Sequence, residues 1–146
     1  MYRVVIDTNL LIDGAEDFYH YGNRILDLVI GGQITAFANK STLRENKFLS
    51  VKKISDEGYL KKLEYFFDTI KPVENIERID VVEDKEDNKI LESALACKAD
   101  YLITSDRHLL KIERYKGIKI VTPSKFWSVW EEEGEGWTKW IKDFIR

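Results

Sequence analysis

The stretch that decides the fold is DKEDNKILESALACKADYLITSD, residues 84–106. Its first half places apolar residues at helical spacing, and its second half predicts a buried strand over Tyr101–Thr104. That strand is followed almost at once by the charged Asp106. The run VVIDTN, residues 4–9, repeats the pattern, because its apolar strand residues lead directly to Asp7. Two predicted buried strands therefore each end beside a carboxylate.

Outward from these stretches, short β-favouring runs alternate with longer segments of helical period. Strands are predicted at Tyr2–Ile6, Ile34–Ala38, Ile79–Val82, Tyr101–Thr104 and Ile118–Val121. Amphipathic helices are predicted at residues 23–32, ending at Gly31-Gly32, at residues 57–70 and at residues 87–99. This order predicts an α/β fold, a three-layer α/β/α sandwich around a central, mostly parallel sheet of about five strands.

The composition is that of one folded domain spanning residues 1–146, since 44% of the residues are hydrophobic and 34% are charged. With 23 basic and 26 acidic residues the net charge is −3, so no overall basic field indicates a nucleic-acid partner. The single cysteine, Cys97, excludes an internal disulfide and is predicted to be buried. No signal-peptide pattern and no apolar run of about 18 residues occurs, which predicts a soluble, cytoplasmic protein with no membrane partner.

The C-terminal stretch, a tryptophan-rich helical tail from about residue 124, holds all four tryptophans. Trp127 and Trp130 share one helical face. A second short helix is predicted after Gly134 and Gly136, with its apolar face formed by Trp137, Trp140, Ile141 and Phe144. We expect these faces to pack against the domain or a second subunit, with stacking on nucleic-acid bases as the alternative.

The carboxylates that end the two strands are predicted to lie at one edge of the sheet. In open α/β sheets, ligands bind in the crevice beyond the carboxyl ends of the strands. Asp7 and Asp106 both occupy that position. An alternative role for each is to cap the helix that follows, because aspartate is a favoured N-cap residue.

A third acid, Glu45, lies in STLRENKFL, residues 41–49. Thr42 and Glu45 together match a capping box, which would explain the acid without a ligand. Phe48 and Leu49 stand three and four residues beyond Glu45, so a helix would place all three on one face. This spacing predicts that Glu45 extends an inward-facing apolar stripe.

A fourth acid, Asp87, stands three and four residues before Ile90 and Leu91, at the start of a predicted buried face. The neighbouring Asp84 and Glu86 are expected to cap the helix or to be solvated, because acids are favourable in a first helical turn.

Four inward-facing carboxylates would raise one another's pKa and could not all stay charged without compensation. The set lacks the His and Cys ligands that zinc prefers, whereas oxygen ligands suit Mg²⁺ or Mn²⁺. The expected chemistry is metal-assisted attack of water on a phosphodiester.

The chain resembles the PIN-domain ribonucleases, and within them the bacterial and archaeal toxins related to VapC. The matching pieces are VVIDTNLLI, STLRENKF, DKEDNKILESALACKADYLITSDRHLL and GIKIVTPSKF, which together span roughly residues 3–126. The resemblance implies a Mg²⁺- or Mn²⁺-dependent endoribonuclease that cleaves single-stranded RNA as the toxin of a toxin–antitoxin module. It also implies a small antitoxin protein as partner and a possible homodimer.

The resemblance assigns roles to individual positions. The metal-binding and catalytic acids correspond to Asp7, Glu45, Asp87 and Asp106. Asn9 corresponds to a residue that orients the first acid, and Thr104 or Ser105 to a hydroxyl beside the last. The chain differs from the family pattern at Lys85, where proline is frequent, and at Ser105, where glycine is frequent.

Positive charge beside the acids is needed to bind RNA. The candidate substrate contacts are Arg44, Lys47, Arg107 and His108, with Lys52 and Lys53 following on the same predicted helix as Arg44. Taken singly, each of these side chains is better explained as a solvated surface charge, and it is their clustering near the acids that indicates substrate contact.

Two other functional classes would also place acids at the edge of a parallel sheet or share this fold. A receiver-type phosphoacceptor expects paired acids after the first strand, and VVIDTN supplies one. A catalytically inactive PIN-like module that binds RNA or a protein remains the alternative.

Overall fold

The structure, a computed structural model, describes residues 1–7, 9–13 and 21–145, with the side chains of 12, 13, 134–140, 142 and 143 left out. Within these ranges the strands are β1 Arg3–Ile6, β2 Thr35–Asn39, β3 Lys71–Val73, β4 Tyr101–Ile103, β5 Arg114–Tyr115 and β6 Ile118–Val121. The helices are α1 Asn9–Asp13, α2 Tyr21–Ile30, α3 Lys40–Lys53, α4 Glu57–Thr69, α5 Lys85–Ala96, α6 Arg107–Leu110 and α7 Pro123–Ile145.

All six strands form one sheet in the order β3-β2-β1-β4-β6-β5, in which only the pairing of β5 with β6 is antiparallel. The predicted mostly parallel sheet is thus confirmed, with six strands rather than about five. Strands β2 and β4 lie on opposite sides of β1, so the connections leave β1 and β4 in opposite directions. This is the topological switch point at which ligands bind in such sheets.

The sheet is covered on both faces because successive side chains of a strand point to opposite sides. Val4 and Ile6 of β1 belong to one core, into which α2, α4 and α7 pack, whereas Val5 belongs to a second core with residues of α5 and α6. The same alternation holds in β4, where Leu102 lies in the second core and its neighbours Tyr101 and Ile103 in the first. The predicted three-layer sandwich is therefore confirmed.

The strand predicted at Ile79–Val82 is wrong. Ile79 is buried in the second core, which explains its apolar character. Its backbone N–H donates to Oε1 of Glu92, and the N–H groups of Val81 and Val82 donate to Oδ1 of Asn88. Side chains of α5 thus accept the hydrogen bonds that a neighbouring strand would have accepted.

Two strands carry no clear sequence signal. Strand β3 has three residues, including Pro72, and lies at an edge of the sheet, where a residue without an N–H group is tolerated. Strand β5 has two residues and joins β6 through Lys116 and Gly117, both with positive φ. Runs this short are below the length at which apolar alternation can be recognised.

Helix α3 differs from its prediction in two respects. Its N-cap is Asn39, whose side chain accepts the N–H of Ser41, so the helix begins before Thr42 and the predicted capping box does not form its N-terminus. The apolar stripe is also wrong, because Phe48 is 62% exposed and Leu49 is exposed as well. The buried residues of this helix are polar, Asn46 and Ser50.

The C-terminal region is one continuous helix, so the predicted break after Gly134 and Gly136 is wrong. Trp127 and Trp130 pack against the first core, which confirms the packing interpretation for this pair. The predicted face formed by Trp137 and Trp140 lies outside the described side chains.

Two smaller predictions agree with the structure. Helix α2 ends before Gly31-Gly32, and Gly32 adopts a φ of 74° that suits glycine at a helix C-terminus. Cys97 is buried, and burial raises the pKa of its thiol to about 11. Among the helices described, none combines the length and apolar character needed to cross a membrane.

Candidate metal centre

Asp7 lies at the carboxyl end of β1, beside the carboxyl end of β4. Its backbone N–H donates to the carbonyl oxygen of Ile103 at 2.9 Å, which extends the pairing of the two strands by one residue. Its side chain is only 4% exposed. The backbone N–H of Asn9 donates to Oδ1 of Asp7 at 3.2 Å, so this residue contacts the acid through its main chain, while its exposed side chain faces away from the core.

The fully buried Thr104 connects the two acids that follow the central strands. Its hydroxyl donates to Oδ2 of Asp7 at 2.8 Å and accepts the backbone N–H of Asp106 at 3.0 Å. Ser105, the other hydroxyl candidate, is exposed. The buried threonine therefore orients Asp7 and fixes the chain that carries Asp106.

Asp106 caps helix α6, as the alternative interpretation predicted. Its Oδ1 accepts the N–H of His108 at 2.7 Å and the N–H of Leu109 at 3.4 Å. No protein donor among the described residues contacts its second oxygen, Oδ2. Capping therefore fixes the carboxylate and still leaves one oxygen for a ligand.

Asp87 is buried, which makes its position unfavourable for a negative charge. It is 7% exposed in the first turn of α5, and its Oδ2 is buried with no hydrogen-bond partner in the described part of the chain. The pKa of this carboxyl is raised to about 6, chiefly by burial and also by the charges of Asp106, Asp84 and Asp7, while His108 opposes them. The electrostatic coupling indicates that Asp7, Asp87 and Asp106 share one region at the carboxyl edge.

In the described residues, the carboxylates of these acids do not converge on one position that a metal ion could occupy. Across residues 1–7, 9–13 and 21–145, no group of three Asp, Glu, His or Cys side chains lies close enough to hold a metal ion. Glu45 is exposed on α3, and its predicted inward-facing position rested on an apolar stripe that does not exist. The four-acid metal set stays a prediction, for which Asp7, Asp87 and Asp106 have the stronger geometric support.

Asn88, next to Asp87, is a structural residue that the sequence analysis missed. Its side chain accepts the N–H groups of Val81 and Val82 at 3.0 and 3.1 Å and donates to the carbonyl of Val82 at 2.8 Å. One helical turn later, Glu92 holds Ile79 in the same way. The signal was present, because both residues belong to the DNKILE run on which the resemblance rests.

The candidate substrate contacts are all exposed: Arg44, Lys47, Arg107 and His108. Within the described residues, none of the three Lys and Arg side chains forms an ion pair. His108 lines a cleft together with Asp87, one of the candidate acids. The chain therefore offers free positive charge, and its role in RNA binding stays a prediction.

The two departures from the family pattern cause no visible strain. Ser105 is not one of the described non-glycine residues with positive φ, so the backbone before Asp106 does not require glycine. Lys85 is the first residue of α5, directly after the N-cap Asp84. Proline is frequent at this first helical position, but the helix forms without it. Asp84 thus caps the helix, as predicted.

The parallel sheet with Asp7 and Asp106 at its carboxyl edge defines an α/β domain with an acidic edge at its topological switch point. A family model described as PIN domain matches residues 3–108, so the chain belongs to the PIN domain family, whose members are generally nucleases that use divalent metals. An uncharacterized protein of Methanocaldococcus jannaschii is 28% identical over 138 residues, covering 85% of this chain and 88% of that protein. No solved structure matches the chain significantly.

Proposed function

We propose that this protein is a Mg²⁺- or Mn²⁺-dependent endoribonuclease that cleaves phosphodiester bonds of single-stranded RNA. The observation that carries the proposal is the state of Asp87, a buried carboxylate whose Oδ2 has no partner among the described residues and whose pKa is raised. A buried unpaired charge is costly, and a bound cation would compensate it. Oxygen ligands at this edge suit Mg²⁺ or Mn²⁺.

The separation of the acids is compatible with this proposal. Like charges repel one another in a partly buried site, which favours separated carboxylates until a cation compensates them. The proposed ligands are Asp7, Asp87 and Asp106, with Glu45 as a fourth from the exposed face of α3. A divalent cation supplies positive charge for the phosphate in the transition state and lowers the pKa of a water molecule.

The chain's own residues position the reacting groups. Thr104 and the N–H of Asn9 hold the Asp7 carboxylate in one orientation, and the first turn of α6 holds Asp106. Arg107 follows Asp106 in the chain and is exposed, and in this proposal its guanidinium attracts the RNA backbone. This preorganisation matters because a catalytic group that is displaced from its required position contributes much less to the reaction rate.

The experiment is cleavage of a 5′-labelled single-stranded RNA with Mn²⁺, with Mg²⁺ and with EDTA. Wild-type protein is expected to cleave with metal and not with EDTA, and Asp7→Asn is expected to lose at least about tenfold in rate. Asp68→Asn, an exposed acid on α4, is the matched control and should keep the wild-type rate. Absence of cleavage with both metals, or equal cleavage by Asp7→Asn, contradicts the proposal.

The second candidate function is an inactive PIN-like module that binds RNA or a protein. It is favoured by one observation, namely that no three metal-binding side chains lie close together in the described residues. It predicts RNA binding that persists in EDTA together with no cleavage under any metal condition. A binding measurement run beside the cleavage assay separates the two functions.

The more specific role proposed is the toxin of a toxin–antitoxin module, with a small antitoxin protein as partner. Exposed apolar side chains support a protein partner, since Phe48, Leu49 and Val51 of α3 and Tyr65 of α4 all face solvent. A homodimer through the same surface is the competing arrangement. Growth arrest on expression, absent in Asp7→Asn, is the expected result, and growth unaffected by active enzyme contradicts the toxin role.

A further inference from the structure

A cleft beside the candidate metal centre is lined by acidic residues, which would repel the phosphates of RNA. Its volume is about 440 Å³, and its lining residues are Val81, Val82, Glu83, Asp84, Asp87 and His108. Three of the six are acids, so the cleft is negative even when His108 is charged. Phosphate groups are therefore repelled from it, although the catalytic edge must bind an RNA strand in the proposed function.

A nucleobase has the complementary chemistry. Val81 is 47% exposed and offers an apolar surface, and the imidazole of His108 offers a ring on which a base can stack. Glu83 is exposed and has no hydrogen-bond or ion-pair partner among the described residues, so its oxygens are available to accept hydrogen bonds. Carboxylates accept from exocyclic amino groups such as N4 of cytosine.

Hydrogen bonds hold the wall of the cleft in a fixed conformation. Asn88 fixes Val81 and Val82 through three hydrogen bonds from a side chain that is itself buried. The cap made by Asp84 then fixes the start of α5. The buried Asp87, whose Oδ2 lacks a partner in the part of the chain that the structure describes, forms part of the lining and connects the cleft to the candidate metal centre.

We propose that this cleft is a base-binding subsite that selects a nucleotide next to the cleaved phosphate, accepting bases with an exocyclic amino group and discriminating against uracil. The inference rests on the proposed ribonuclease function and adds its substrate preference. Adenine, cytosine and guanine each present an exocyclic amino group to a carboxylate such as Glu83. Uracil has no amino group, and its one donor, N3–H, lies between two carbonyl oxygens that a carboxylate repels. Discrimination of about tenfold is expected from one such contact.

The test compares Mn²⁺-dependent cleavage of oligo(A), oligo(C) and oligo(U) of equal length. Wild-type protein should cleave oligo(A) and oligo(C) about tenfold faster than oligo(U), measured as kcat/KM. Glu83→Ala should reduce this ratio toward one without changing Mn²⁺ affinity. Glu131→Ala removes an exposed acid from α7, whose neighbour Glu133 binds Tyr2 at the opposite edge of the sheet, and should keep the wild-type ratio.

Affinity for the same oligonucleotides in EDTA, measured by fluorescence anisotropy, gives a readout that does not depend on cleavage. No cleavage together with a preference over oligo(U) that Glu83→Ala removes would contradict the ribonuclease function and support the subsite. Cleavage or binding with equal efficiency for all three oligonucleotides would overturn the subsite alone. A preference that Glu83→Ala leaves unchanged would also overturn it.

Discussion

The hydroxyl of Thr104 donates a 2.8 Å hydrogen bond to Oδ2 of Asp7, although the two residues are 97 positions apart in the chain. The contact is fully buried and lies between the ends of the two central parallel strands. The same hydroxyl accepts the N–H of Asp106. One side chain thus sets the position of two proposed metal ligands.

Replacing Thr104 by valine should weaken the site while keeping the shape of the side chain. The Thr104→Val protein should lose at least about tenfold in Mn²⁺ affinity, because residues that orient ligands typically have effects of this size. The free energy of unfolding should fall by about 1–3 kcal/mol, since a buried carboxylate loses its donor. Thr69→Val is the control, because the exposed hydroxyl of Thr69 donates to the carbonyl of Tyr65 within its own helix. Equal Mn²⁺ binding by both variants contradicts the orienting role.

The pKa of Asp87 predicts a pH-dependent stability difference in metal-free protein. Because folding raises this pKa from 3.8 to about 6, the ionised carboxylate destabilises the fold, and this cost appears as pH rises through that interval. Asp87→Asn should therefore match wild type near pH 4 and exceed its stability above pH 7, by an amount on the order of 3 kcal/mol. Urea denaturation in EDTA across this range measures the difference.

Two comparisons control the Asp87 prediction. Asp68→Asn changes an exposed acid and should show no such pH-dependent gap. Saturating Mn²⁺ should narrow or reverse the advantage of Asp87→Asn, because a ligand that binds the folded wild type stabilises it. An Asp87→Asn protein that is less stable than wild type at pH 8 in EDTA contradicts the account of this residue.

Asn88 should hold the segment that precedes α5. Asn88→Ala removes three hydrogen bonds and leaves the N–H groups of Val81 and Val82 without their acceptor, so the unfolding free energy should fall by about 2–3 kcal/mol. Amide hydrogen exchange should accelerate at Val81 and Val82 and stay slow in β1. Uniform acceleration in both places would indicate global destabilisation instead.

The start of α3 offers a direct comparison between two candidate caps. Asn39 accepts the N–H of Ser41, whereas Thr42 lies inside the helix. Asn39→Ala should lower the unfolding free energy by about 1 kcal/mol, and Thr42→Ala should change it much less. Thermal denaturation of the two variants measures the difference, and the reverse order would restore the capping box predicted from sequence.

The layered fold was predictable from sequence because parallel strands buried on both faces are nearly continuous apolar runs. VVI and YLI carry that signal, and the helices between them carry a clear apolar period. The short edge strands β3 and β5 could not be recognised, since three and two residues hold too little pattern.

The candidate site was predictable only in part. Strand ends placed Asp7 and Asp106 at one edge, because parallel topology brings carboxyl ends together. The position of Glu45 was inferred from Phe48 and Leu49, but tertiary packing turns polar Asn46 and Ser50 inward instead. Spacing cannot determine which face of a helix is buried when both faces carry apolar residues. The polar contacts of Asn88 depend on a loop conformation that no local pattern specifies.

The most direct test of the metal centre is the Mn²⁺ dissociation constant measured by isothermal titration calorimetry at pH 7.5. The account predicts that wild type and Asp68→Asn bind with equal affinity. Asp7→Asn, Asp87→Asn and Asp106→Asn should each bind at least about tenfold more weakly. Unchanged Mn²⁺ affinity in these three variants, or no binding by wild type, would contradict the claim that the carboxylates hold a catalytic cation.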